Sequence, residues 1–230
     1  MKFANIHKIS LIIFLLLPVA AHSQARIEPA SATAPGGSYR LDGVRVHAAG
    51  ADEVIRNAFQ NMIAARSYRI HGEMTAMNGA TFQLEQEFSA PNRVHTVAQS
   101  DKNGPAVRVE AIIIGKNGYV KTGGDWTRQT FDEQIFDFSK VQKQIDDVLN
   151  AVGDQFEIAD PTSVNGTPVT TYQIVSATDV IFKVSVGTKD NMLYRVEFDS
   201  PSNPGKGVPG QKVVLSISDY NTNIKIEPPR

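Results

Sequence analysis

Beyond the first 25 residues the chain keeps three histidines, His47, His71 and His95, and His71 shares one strand face with Glu73. An imidazole and a carboxylate two residues apart could give a metal ion two ligands, but a third is missing, and there is no H-E-x-x-H pair and no cysteine. A solvated strand face accounts for the pair more simply. Asp132-Glu133 and Asp146-Asp147 have the composition of a glycosidase couple. That chemistry needs carboxylates opposed across a cleft, which adjacency does not provide. The positive N-terminus of a helix and a polar helix face explain them. Residues 205–212 (GKGVPGQK) superficially suggest a phosphate loop. The stretch lacks the closing Lys-Ser or Lys-Thr, is broken by Pro209 and precedes a strand. There is no G-x-S-x-G elbow, and nothing points to a Ser/His/Asp triad. The expectation is a protein that is not an enzyme, with no catalytic residues, no metal and no cofactor.

The chain has 230 residues, of which 41% are hydrophobic and 20% charged, an ordinary globular composition. Its 23 basic residues are balanced by 24 acidic ones, which argues against nucleic acid as a partner. Lys2 and Lys8 precede an apolar run over residues 9–21 (ISLIIFLLLPVAA), and small residues follow. This reads as a signal peptide over residues 1–25, cleaved after Ser23 or Ala25, and the run is short for a membrane span. With no cysteine there are no disulfides and no acylated lipobox residue, so the expected mature protein is periplasmic, soluble and monomeric. Residues 26–50, with SATAPGG, read as a flexible linker, and residues 51–230 as one domain.

Hydrophobic periodicity supplies the elements. ADEVIRNAFQNMIAARS carries Val54, Ile55, Ala58, Phe59, Met62 and Ile63 at helical spacing, with Asp52 as its expected cap. After Ser67 the period becomes two: Tyr68, Ile70, Gly72 and Met74 alternate with polar residues, then Phe82, Leu84, Gln86 and Phe88 do the same. Asn78-Gly79 and Asn117-Gly118 read as hairpin turns. Strands are also expected over 93–99, 107–114 and 119–121. Gly123-Gly124 ends the meander, and Trp126, the only tryptophan, stands where the chain leaves for a second amphipathic helix over 132–152 stopped by Gly153. A second set of strands follows over 168–175, 180–186, 193–199 and 212–218, with a last edge strand expected at 224–226. The fold class is α+β, mainly β: a strongly curved antiparallel half-barrel sheet with amphipathic helices covering the concave face.

Several short stretches resemble the LolA/LolB superfamily of bacterial lipoprotein carriers, nearest to its LppX/LprG-like periplasmic branch. They are Ser67-Tyr68, the F-S-A-P-N-R turn from Phe88 to Arg93, I-G-K-N-G-Y from Ile114 to Tyr119 with Trp126, and S-D-Y-N from Ser218 with Ile224. The likeness spans residues 52–228. It implies an eleven-stranded half-barrel whose cavity holds acyl chains, with no catalytic residues. The implied function is a periplasmic carrier for a lipid or an acylated protein, with membrane-bound donor and acceptor proteins as further partners. A regulatory interaction domain of the same fold, like the RseB-type proteins, is the alternative. Residues expected to line the cavity are Phe82, Leu84, Phe88, Val109, Ile113, Trp126, Ile135, Phe138, Phe182, Val184 and Val196. Alternation shows that such residues are buried and leaves open whether they line a cavity or fill a core.

Overall fold

Apolar side chains at every second position can all be hidden only if their strands lie side by side with one face covered. The computed structural model describes residues 48, 50–75, 81–101, 108–131, 142–143, 145–146, 149, 156–159, 162–175, 181–200 and 211–230. In it the strands form one open, curved antiparallel sheet of twelve strands, one more than the resemblance implied. The first meander comprises β1 (Ser67–Thr75), β2 (Thr81–Ser89), β3 (Arg93–Asp101), β4 (Arg108–Ile114), β5 (Asn117–Thr122) and β6 (Thr127–Thr130). The second comprises β7 (Glu157–Ile158), β8 (Thr162–Val164), β9 (Thr167–Val175), β10 (Ile181–Gly187), β11 (Leu193–Ser200) and β12 (Gln211–Ser218). Strands β1 and β12 join the two halves, with Ile70 opposite Ile217 and Gly72 opposite Leu215. The outer strands are β6 at one edge and β7 at the other, where β8 also pairs with β9.

Three short strands, β6, β7 and β8, escape the sequence reading. All four residues of β6 are exposed, so no apolar alternation announces it. One hairpin is shifted. Asn117-Gly118 opens β5, and the turn is Gly115-Lys116, where Gly115 takes a positive φ of 60°. The Asn117 side chain instead accepts from Arg128 Nη2 at 3.0 Å, tying β5 to β6.

Helix α1 (Ala51–Ala64) lies against β10 and β11 on one face of the sheet. Its buried stripe is Ala51, Ile55, Ala58, Phe59 and Met62. Asp52 is not its cap: Gly50 holds that position at φ 77° with no side-chain hydrogen bond, and Asp52 and Glu53 lie in the first turn, where the helix dipole favours acids. Of the second expected helix, residues 142–143, 145–146 and 149 are helical, while Ile135, Phe138 and Gly153 lie outside the described residues. Ile145 and Leu149 join α1, Phe156 and the sheet in the main core, and Arg56 of α1 forms an ion pair with Asp146.

The opposite face carries a second, small core of Ile112, Ile224 and Ile226, with Ile114, Tyr119 and Trp126 packed around it. Residues 224–226 are therefore not an edge strand. The tail crosses the outside of the sheet, held by Arg93 Nη1 donating to the Ile226 carbonyl at 2.6 Å and by Asn221 N–H donating to the Ser67 carbonyl at 2.9 Å.

Candidate functional site

Charge sorts by face. Strand register places Arg69, His71, Glu73, Glu85, Glu87, Arg93, His95, Arg108, Glu110, Lys121, Lys183, Arg195, Glu197 and Lys212 on the face away from α1. Among the described residues of these strands, the concave face bears no Asp, Glu, Lys, Arg or His, because each such position alternates with an uncharged one. A charge there would lose hydration without gaining a partner.

Burial on the concave face is graded. Phe88 and Val94, each 1% exposed, lie level with Tyr68 at the start of β1, whereas on β10, against α1, burial reaches further along the strands, with Val184 0% exposed in the row of Gly72 and Leu84. Two residues further along β2 at a time, Gln86, Leu84 and Phe82 are only half-buried. At that far end one row crosses the sheet in register: Ile174 opposite Phe182, Phe182 opposite Phe198, Phe198 opposite Val213, Val213 opposite Met74, and Met74 opposite Phe82. All of this row but Val213 are half-buried, giving an apolar belt that the core leaves partly uncovered. Gly72, in the next row, has Leu84 and Leu215 converging on the place where its Cβ would be, with Leu215 Cδ2 only 2.8 Å from that point.

The nine described residues among those expected to line a cavity divide into three groups. Phe88, Ile113, Val184 and Val196 are buried in the main core. Phe82, Leu84, Val109 and Phe182 are on the same face and half-buried. Trp126 is brought together with neither, because it packs on the outer core beneath the tail, with Lys121 Nζ 5.9 Å from its ring centroid. Met74, Ile174 and Phe198 belong to the belt and were not singled out, although Met74 and Phe198 follow the same alternation.

The polar constellations resolve as surface chemistry. His71 and Glu73 are exposed on the outer face. His95 lies between Glu110 Oε1, at 3.0 Å from Nε2, and Glu87 Oε2, at 3.5 Å from Nδ1, and Glu87 also accepts from Arg69 Nε at 2.9 Å. Among the described residues no three acidic or histidine side chains are grouped to hold a metal ion. Asp132, Glu133, His47 and most of the 205–212 loop lie outside the described residues. No described helix is long and apolar enough to cross a membrane.

The chain superposes on LprF from Mycobacterium bovis with a TM-score of 0.52 at 14% identity, covering 79% of this chain and 98% of that one. The two chains share a fold. Looser overlaps, with TM-scores of 0.27 and 0.26, involve a LolA superfamily protein from Nitrosomonas europaea and a putative outer membrane lipoprotein-sorting protein domain from Vibrio parahaemolyticus. The first is 12% identical and covers 80% of this chain and 96% of that one; the second is 10% identical and covers 76% and 93%. No family model and no curated protein matches the sequence. In this fold the concave face is the large uncharged surface that the described strands present.

Proposed function

We propose that this protein is a periplasmic carrier that holds the acyl chain of a lipid or of an acylated protein against the concave face of its sheet. The observation that carries the proposal is the half-buried belt of Ile174, Phe182, Phe198, Met74 and Phe82 on a face without charge. Burial contributes about 0.8 kcal/mol per methylene, so about ten methylenes gain roughly 8 kcal/mol before the cost of association. Surface alone can thus hold a long chain, and no polar pocket or cofactor is needed. Phe82, Leu84, Val109 and Phe182 are its proposed lining, with Phe88, Ile113, Val184 and Val196 as the packed floor that keeps the sheet curved. Ile135 and Phe138, which lie outside the described residues, belong to the same proposed lining. Residues 1–25 direct export, and the 51–230 domain works as a monomer that exchanges its cargo with membrane-bound donor and acceptor proteins. Its likeness to LprF supports the reading at the level of fold.

Native mass spectrometry of the protein purified from periplasm tests it. A stoichiometric adduct of acyl-lipid mass, identified by extraction, is the expected result. A mass that stays that of the bare chain after incubation with envelope lipids overturns the carrier reading and favours a protein-binding module of the same fold.

A further inference from the structure

One polar pair interrupts the concave face. Gln86 of β2 and Thr96 of β3 are opposite each other, and Gln86 Nε2 donates to Thr96 Oγ1 at 3.2 Å. Thr96 is 2% exposed, and Gln86 is half-buried. Their register neighbours are Ile70 on one side and Ala111 on the other. Phe88 and Val94 form the next row toward the buried end, and Leu84 and Ala98 the next row toward the belt. Two polar side chains thus sit inside an apolar field.

A primary amide offers two N–H donors and a carbonyl acceptor, and Gln86 uses one of these donors on Thr96 among the described residues. A buried polar group without a partner is unfavourable, and an apolar pair would fill the same sites without that penalty. The short side chains of Ala98, in the next row, and Ala111, opposite Thr96, flank the pair.

We infer that Gln86, steadied by Thr96, is the polar contact for the carbonyl of a bound acyl chain, an ester or an amide; this rests on the carrier reading above. The N–H that Thr96 does not use donates to the acyl carbonyl oxygen, and the chain's methylenes lie on the apolar residues around the pair. The site therefore selects acyl chains over plain alkyl chains of the same length.

The test is displacement of a fluorescent fatty acid from the mature protein by two phosphatidylglycerols of equal chain length, one ester-linked and one ether-linked. An N-palmitoyl peptide against its N-hexadecyl counterpart distinguishes an amide source from an ester source. The wild-type protein should prefer the carbonyl-bearing member of a pair by about three- to tenfold, the equivalent of one hydrogen bond. Gln86→Leu should abolish the preference and leave ether-lipid affinity within about twofold. Thr96→Val should reduce the preference part-way and serves where the first variant melts too low to assay. Equal binding of both members by the wild type, or a preference that survives Gln86→Leu, overturns this inference and leaves the carrier reading intact. Failure of every lipid and lipopeptide to displace the probe overturns the carrier reading itself.

Discussion

Ile112 and Ile113 are neighbours in β4, yet each is buried in a different core, at 8% and 9% exposure. Ile113 faces the concave side and packs in the main core, whereas Ile112 faces outward beneath Ile224 and Ile226 of the C-terminal tail. The sheet is therefore covered on both faces at this point, by different parts of the chain.

Because the only tryptophan belongs to the outer core, its emission reports on the tail. Ile224→Ala should cost about 2–4 kcal/mol by urea unfolding and shift native Trp126 emission to the red. Ile113→Ala should cost a similar amount and leave native emission unmoved. An unshifted spectrum in the Ile224 variant would mean that the tail does not cover the indole.

Phe88 and Phe82 lie on one face of one strand with opposite roles. Phe88 is 1% exposed and stacks on Tyr68 with ring centroids 4.9 Å apart, while Phe82 is half-buried. Phe88→Ala should lose about 3–5 kcal/mol of stability. Phe82→Ala should lose under about 2 kcal/mol but weaken fatty-acid displacement severalfold. Equal stability losses would show that Phe82 is ordinary core.

Arg56 and Asp146 join α1 to the second helical segment, and both are part-exposed, with side chains at 25% and 34%. Water screens such a pair, so a double-mutant cycle with Arg56→Met and Asp146→Asn should give a coupling of about 0.2–1 kcal/mol, smaller at high salt. Hydrogen exchange in residues 142–149 should quicken in the Asp146 variant by a matching factor. A coupling that is insensitive to salt would contradict a screened pair.

Burial pushes the phenols of Tyr68 and Tyr220 above their ordinary value, and for Tyr220 the nearby Tyr68, Tyr194 and Asp190 add to the effect. The Tyr220 hydroxyl donates to the Leu193 carbonyl. A pKa raised in the folded state gives stability that is complete below the unfolded value, about 10, and is lost as pH rises above it, since only the unfolded chain releases these protons there. Stability should thus fall above about pH 10, and more gently in Tyr68→Phe. Absorbance at 295 nm should show these phenolates emerging together with unfolding. Their ionisation in the native protein near pH 10 would refute the burial.

Local pattern was enough for most of the architecture. Alternation through Phe82, Leu84, Gln86 and Phe88 assigns a strand and a buried face from the sequence, because side chains on a strand must alternate. The stripe of Ile55, Ala58, Phe59 and Met62 likewise assigns a helix and its inner face. Gln86 stands in that alternation as the one amide among apolar positions, but nothing in the sequence assigned it a role. Register and coverage were not visible. The pairing of β1 with β12 joins residues far apart in sequence, and only that closure lines Met74 up with Val213, Phe198 and Phe182 as a belt. The same holds for Trp126 and the Ile224–Ile226 stretch: an apolar residue shows in sequence that it will be buried, but which surface buries it depends on where a distant segment comes to rest. The tail chose the outer face, because Ile112, Ile114 and Tyr119 offered apolar surface there and Arg93 a donor for its backbone.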